Sequence, residues 1–407
     1  MTNYTKASPI ILFLLFSLSQ STESAYTTGL PKLARDLDIN YSLAQTSSSI
    51  YFYGFATGIL VLGRLSDYVG RKTVIIGGLF LFLITCILSF KVSNIYTLIF
   101  IRFLQAFGAS VGSGVAQAVA RDGYVGRGLS KLYVTLSSGL AIMPSISSFI
   151  GSHITSILGW RYIFIYLFSV VFMTMVLCIL WLPETNNFTG RKQKFSFLEV
   201  LQAMSKDIKV LCFGVMIGIF NGIMYSLYIE APHIFIDKLG ISTANYGYIT
   251  LTLGIAAAFG GLYNRSMQAS GIEDQILIKR GIITSNISCL GMIALAILWH
   301  YGILKDFIIL PLILLPIIFQ SFSFGVTMPL VLRLSLEDYT RVNGTAGAIF
   351  GAFYYIIVAT SSFITTRLHD NEHIIKTSIF FTLISLLSFL CYKFAKRHET
   401  NHKPFAI

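Results

Sequence analysis

The 407-residue chain is 55% hydrophobic and only 12% charged, and its mean hydropathy is +0.72. A soluble domain carries about 25% charged residues, so this chain cannot solvate its own surface as a globule. Soluble enzymes, disordered tails, collagen-like fibres and disulfide-rich secreted modules are excluded. The formal charge of +12 sits in short loops between apolar runs, which points to orientation in a bilayer rather than to nucleic acid.

About 20 apolar residues cross the hydrocarbon core as a helix. Twelve such runs are predicted, the first six over 9–29, 44–63, 74–91, 95–118, 131–154 and 161–182. The last six cover 208–231, 244–265, 276–299, 306–331, 342–366 and 374–394. No run alternates with period two, so a β-barrel is not expected. The first run resembles a signal-peptide core, but it is long, follows a single basic residue (Lys6) and is soon followed by another span. It is read as an uncleaved span.

An even number of spans puts both termini on one side. That side, with the loops after spans 2, 4, 6, 8 and 10, holds about 21 Lys and Arg, against about 8 on the other. Arg102 lies within span 4. The positive-inside rule therefore places both termini in the cytoplasm. The basic tail, with Lys393, Lys396, Arg397 and Lys403, is read as a topology signal and headgroup contact.

The polar stretch 183–207, with Arg191, Lys192 and Lys194, divides the spans six and six. The expected organisation is an amino-terminal bundle over 1–182, a basic cytoplasmic linker over 183–207, and a carboxy-terminal bundle with a short tail over 208–407. Two six-helix halves suggest a duplicated transporter with its site near the midplane. Filter-like loops, a P-loop, HExxH and GxSxG are all missing from the sequence, so a channel, an ATPase or another enzyme is not expected. Cys86, Cys178, Cys212, Cys289 and Cys391 fall in apolar runs and are read as small hydrophobes. His153, His233, His300, His369, His373, His398 and His402 lack ligand spacing. Neither a metal nor a cofactor is expected.

The stretch after span 2 reads Gly63-Arg64-Leu65-Ser66-Asp67-Tyr68-Val69-Gly70-Arg71-Lys72. It resembles the G-x-L-x-D-x-x-G-R-K loop signature of the major facilitator superfamily. The glycines are expected to permit a tight turn and close helix approach. A solvated loop carrying topology signals is the plainer alternative. The corresponding stretch of the second half, Gly261-Leu262-Tyr263-Asn264-Arg265, is degenerate and lacks the Asp.

In span 4, Arg102-Phe103-Leu104-Gln105-Ala106-Phe107-Gly108 is similar to the superfamily's R-x-x-Q-G motif. Gly108, Gly112, Ala116 and Ala120 recur every four residues and read as a packing ridge. Arg121-Asp122 ends the run. The resemblance implies that Arg71 pairs with Asp122 as a cytoplasmic gate contact.

Span 5 contains Gly139 and the stretch Pro144-Ser145-Ile146-Ser147-Ser148-Phe149-Ile150-Gly151-Ser152. The latter resembles the Pro-x-x-x-Pro-x-x-Gly-Gly stretch of the bicyclomycin-resistance (Bcr/CflA) drug-efflux family. Ser148 and Ser152 stand where the second Pro and second Gly are usual. Gly159-Trp160-Arg161-Tyr162-Ile163-Phe164 and Leu182-Pro183-Glu184-Thr185 fit the same family, and the likeness runs from about residue 20 to 250. It implies an all-α membrane protein of the major facilitator fold, with twelve transmembrane helices in two pseudo-symmetric six-helix bundles.

Ionisable groups inside the membrane are functional candidates. Glu23 lies roughly 9 Å and Arg102 roughly 10 Å below the outer edge of the core, at 1.5 Å per residue. The two are expected to face one another across the amino-terminal half of the cavity. Protonating Glu23 would upset the charge balance and shift an inward–outward equilibrium. A static pair orienting two helices is the alternative. The family usually carries its acid where Ser24 stands here. Glu230, before Ala231-Pro232, is either a cation or proton site or a solvated helix end. Tyr26, Gln20, Tyr53, Gln105, Asn221, Tyr225 and Gln320 are the remaining candidates for the cavity wall.

The resemblance and the buried charges together imply proton-coupled export of small amphipathic compounds by alternating access. The expected setting is a bacterial-type inner membrane, and the expected partners are substrate, protons and lipid, with the protein a monomer. Proton-coupled uptake of a specific metabolite, or a non-transporting receptor on the same fold, are the alternatives.

Overall fold

A computed structural model describes residues 6–124, 128, 129, 132, 136, 139, 140, 142–186, 196–369 and 374–398, without the side chains of Ser19, Gln20, Thr340, Arg341 and Asn343. The side chain of Gln20, the linker cations Arg191, Lys192 and Lys194, and His373, His402 and Lys403 lie outside the described residues. Among the described residues the regular elements are all helical.

Helix α1 (Pro9–Thr27) starts on Pro9, whose missing N–H is harmless in a first turn. A short helix, α2 (Leu30–Asp36), leads to α3 (Tyr41–Val69). Asn40 caps α3 by accepting a hydrogen bond from the Leu43 N–H. Only Gly70 separates α3 from α4 (Arg71–Lys91). Its φ of 108° is left-handed backbone that strains any residue with a Cβ. The stretch expected to be a loop, Gly63–Lys72, is thus almost wholly helical. Gly63 is not in a turn; it sits within α3 facing Ala348.

The fourth span is α5 (Ile95–Ala109) and α6 (Gly114–Gly123), with a 3-10 turn over Ser110–Gly112 between them. That break divides the expected ridge. Gly108 packs against Gly78 of α4, whereas Gly112 packs against Leu15 of α1. Helices α7 (Met143–Ile157) and α8 (Tyr162–Trp181) follow. Phe197–Lys206, expected to be polar linker, forms α9. Ser196 and Glu199 close a capping box at its start. Its apolar face, Val200 and Met204, packs into the same cluster as Val210 and Phe213.

The second half comprises α10 (Ile208–Pro232) with a π-helical extension His233–Lys238, α11 (Thr243–Ala269), α12 (Asp274–His300), α13 (Asp306–Ser335), α14 (Asn343–Leu368) and α15 (Ile375–His398). The halves are pseudo-symmetric six-helix bundles. One crossing displays the relation: a Cβ on Gly54 of α3 would overlap the Phe103 carbonyl of α5, and a Cβ on Gly260 of α11 would overlap the Phe322 carbonyl of α13. Helix α3 also packs along α14, and α7 along α11, forming two seams between the halves.

Nine helical segments among the described residues are long and apolar enough to cross a membrane. They carry Phe80, Phe172, Leu180, Phe259, Leu262, Ile287 and Leu383 exposed on the outside, as a lipid-facing surface requires. Helices α1 and α3 are richer in Ser and Thr, which are mostly turned inward. Thr22 Oγ1, for example, donates to the Leu18 carbonyl at 2.7 Å, as polar side chains in apolar surroundings must. The end holding α2 and the π-helical extension is called outer below, following the charge distribution.

Candidate functional site

Glu23 and Arg102 meet in a direct ion pair, with both residues 0% exposed. Arg102 Nη1 also donates to Gln105 Oε1 at 2.5 Å, and Gln105 Nε2 donates to Cys86 Sγ at 3.2 Å. The guanidinium packs against two rings, 4.0 Å from the centroid of Tyr26 and 4.4 Å from that of Tyr51. Tyr26 Oη is 2.6 Å from Ser47 Oγ. The sequence candidates Glu23, Tyr26, Arg102 and Gln105 thus form one cluster inside the amino-terminal bundle. Tyr51 and Cys86 join it unanticipated, because an aromatic ring or a thiol in an apolar run carries no signal of its own.

Aromatic rings stand between this cluster and the other half. Tyr51 meets Phe52 edge-on, and Phe52 packs on Tyr225 with centroids 4.7 Å apart. Phe55 packs on Tyr355 at 4.5 Å. The midplane is therefore a packed aromatic seam, and Glu23 lies one layer behind it rather than on an open wall. Gln320 is buried in the carboxy-terminal half, where its Oε1 accepts from Ser285 Oγ at 2.9 Å. Tyr53 reaches across the seam to Thr360 at 3.2 Å. Asn221 donates to its own helix at the Ile217 carbonyl, 3.0 Å away, and does not join the Glu23 cluster.

Glu230 is 2% exposed, so the solvated helix end is corrected. Its Oε2 accepts from Gln45 Nε2 of α3 at 2.5 Å, and its Oε1 lies 2.8 Å from His369 Nδ1. It belongs to the outer end of the seam, apart from Glu23. Pro144 opens α7, and Gly151 lets that helix approach the Ala25 backbone of α1 closely. Gly139 faces the Phe13 ring. Ser145 Oγ is 3.0 Å from Tyr228 Oη across the α7–α11 seam.

At the inner end, Arg71 Nη1 pairs with Asp67 Oδ1 at 2.6 Å, and Arg71 Nε with Asp122 Oδ2 at 3.3 Å. Asp122 also accepts from Thr185 Oγ1 at 3.2 Å. Glu184 accepts the backbone N–H groups of Arg71 and Lys72, at 2.9 and 3.0 Å, an anion at a helix N-terminus. Lys72 Nζ donates to the Ile179 carbonyl. The gate motif thus fastens α3, α4 and α6 to the exit of α8. Arg121 reaches beyond it, to within 3.7 Å of where a Cβ on Gly347 of α14 would lie.

The second half holds a counterpart that the loop signature does not describe. Asp274, first residue of α12, pairs with Arg333 near the end of α13. In the first half the base opens the third span and the acid ends the fourth. Here the signs are exchanged.

The family model of the Major Facilitator Superfamily matches residues 12–362. The chain is a member of the Major Facilitator Superfamily. It is 38% identical to an "Uncharacterized transporter" of Rickettsia felis, covering 96% of this chain and 97% of the relative. Multidrug resistance protein D of Escherichia coli K12 is 24% identical, with 94% of each chain covered. A bicyclomycin resistance protein homolog of Haemophilus influenzae is 22% identical over 88% and 89%. A crystal structure of a D-xylose–proton symporter superposes with a TM-score of 0.74 at 17% identity, covering 95% of this chain and 97% of the other. That likeness shows the fold. This major facilitator protein is accordingly a multi-pass membrane transporter.

Proposed function

We propose that this transporter exports small amphipathic compounds in exchange for protons, by alternating access across the inner membrane. The observation that carries the proposal is the Glu23–Arg102 pair, a carboxylate and a guanidinium sealed from water in the amino-terminal bundle. Ions at such depth need their partners, so a proton on Glu23 leaves Arg102 uncompensated. That imbalance, of several kcal/mol, is enough to bias two conformations that differ by a few kcal/mol. The Tyr26 and Tyr51 rings connect the pair to the aromatic seam, where apolar drugs with a polar tip would pack. Relatives named for multidrug and bicyclomycin resistance support export.

In this proposal, residues 1–182 and 208–407 rock as two bodies tethered by 183–207, in a monomer with both termini cytoplasmic. Asp67, Arg71 and Asp122 hold the inner end together in one of the two states. Asn221 and Glu230 contribute from the second half.

A second reading, proton-coupled uptake of one metabolite, is favoured by the α7–α11 seam. There, buried Ser148 and Ser152 stand where the drug-efflux stretch has its second proline and second glycine, and buried Ser145 lies 3.0 Å from Tyr228 Oη. Proteoliposomes with an imposed pH gradient and a panel of labelled drugs and sugars separate the two. Export predicts drug movement opposite to protons, for several unrelated drugs. Co-movement of a single metabolite with protons, and no drug flux, would overturn it.

A further inference from the structure

The outer seam gathers more titratable groups than transport through Glu23 requires. From the first half come Arg35 and Tyr41, with Gln45 as a neutral hydrogen-bond donor; from the second, Glu230, His233, Asp237 and His369. Arg35 Nη1 pairs with Asp237 Oδ1 at 2.9 Å, and Asp237 Oδ2 lies 3.1 Å from His233 Nδ1. Glu230 is held between Gln45 and His369 as described. Tyr41 packs against both imidazoles, its centroid 4.8 Å from His233 and 5.1 Å from His369, and donates to the Ile229 carbonyl at 2.8 Å. The two imidazoles themselves meet edge-to-face at 4.8 Å. Tyr246 of α11 is the further titratable group facing Tyr41. Neighbouring Lys238 is turned onto the Trp299 ring.

Among the described residues the charges of this cluster do not balance. Asp237 and Glu230 contribute two negative charges and Arg35 one positive, and with both imidazoles neutral these sum to −1. Each imidazole faces its carboxylate through Nδ1, which therefore carries the hydrogen. That leaves Nε2 as the basic atom, and Nε2 of His233, a residue 8% exposed, has no hydrogen-bond partner. Glu230 and both imidazoles are buried while the Arg35–Asp237 pair is partly solvated, and such a cluster, with one excess negative charge and an unpartnered basic nitrogen, has room for one proton.

We infer that the closed outer seam is itself a proton-binding site, in which one proton shared by His233 and His369 neutralises the cluster and holds the two halves together. It rests on the alternation of open and closed states proposed above, and on no role for Glu23. When the halves part, Arg35, Tyr41 and Gln45 withdraw and water reaches the two carboxylates, so the need for that proton falls. The closed state binds more protons than the open one. By linkage it is favoured as the external pH falls and is lost as the pH rises.

The test uses the full-length chain in lipid nanodiscs. The five native cysteines are replaced by alanine, and nitroxides are placed at Ser93→Cys and Tyr301→Cys, in outer loops of opposite halves. Electron–electron distance measurements from pH 5.5 to 8.5 read the open fraction. In the parent the long-distance fraction rises with pH by at least about threefold, below the ceiling of about tenfold per pH unit for one proton. His233→Gln and His369→Gln, made separately and checked for native thermal unfolding, each reduce that dependence by more than Glu23→Gln does. Distances independent of pH in the parent, or an unchanged pH dependence in both histidine variants, would overturn the inference. A dependence lost only in Glu23→Gln would do so as well, while leaving the proposed proton coupling standing.

Discussion

The carboxylate of Glu23 and the guanidinium of Arg102 meet where neither is touched by water or lipid. They lie 79 positions apart in sequence, and the Tyr26 and Tyr51 rings both pack against the guanidinium. Removing one partner strands the other. Glu23→Gln or Arg102→Met should each lower stability by about 3–5 kcal/mol. The double Glu23→Gln/Arg102→Met variant should recover much of that while remaining unable to couple protons. Unfolding in detergent and pH-driven flux, measured on the same preparations, check both halves of this expectation.

The exchanged signs of the two inner latches yield a sharper test. Reversing one member, as in Asp122→Arg, places like charges together and should slow transport at least about tenfold, the equivalent of about 1.4 kcal/mol. Adding Arg71→Asp restores opposite signs across the α4–α6 contact but sets a second carboxylate beside Asp67, so it should bring back part of the rate. Stability should change by only about 1 kcal/mol, because both side chains are partly solvated. Initial rates of counterflow for the single and double variants read the effect.

Gly54 and Gly260 fix equivalent crossings in the two bundles. Gly54→Val or Gly260→Val forces a Cβ into a facing backbone carbonyl. Each should destabilise the protein by at least about 1–3 kcal/mol. Gly77→Ala, at a position with open space around it, should be close to neutral. Thermal unfolding monitored by fluorescence distinguishes them.

Phe52 and Tyr225 close the midplane by packing across the halves. Phe52→Ala should widen the passage and broaden the range of compounds carried. Losing a buried aromatic should cost about 3–5 kcal/mol of stability. Flux of a size series of labelled compounds shows whether larger members gain.

Much of the architecture was legible because lipid imposes a plain rule, with apolar runs long enough to span and cations concentrated on one side. Glu23 and Arg102 stood out for the complementary reason, as charges inside such runs. What escaped detection had a different physical origin. Gly63 read as a turn because glycine does suit turns, yet α3 continues through it and only Gly70 has the left-handed backbone. Asp274 and Arg333 were invisible to a motif written with the opposite signs. His369 and Glu230 lie 139 positions apart, so no local spacing could announce that the fold brings them together. Helix α9 is amphipathic only over a short stretch, too short to register as a span.

The most direct test of the central claim compares pH-driven accumulation with equilibrium exchange of one labelled drug, in proteoliposomes carrying wild type, Glu23→Asp or Glu23→Gln. Wild type and Glu23→Asp should accumulate the drug against its gradient when a pH gradient is imposed. Glu23→Gln should not, while still exchanging drug across the membrane at equilibrium. Full pH-driven accumulation by Glu23→Gln would contradict the assignment of the coupling proton to Glu23.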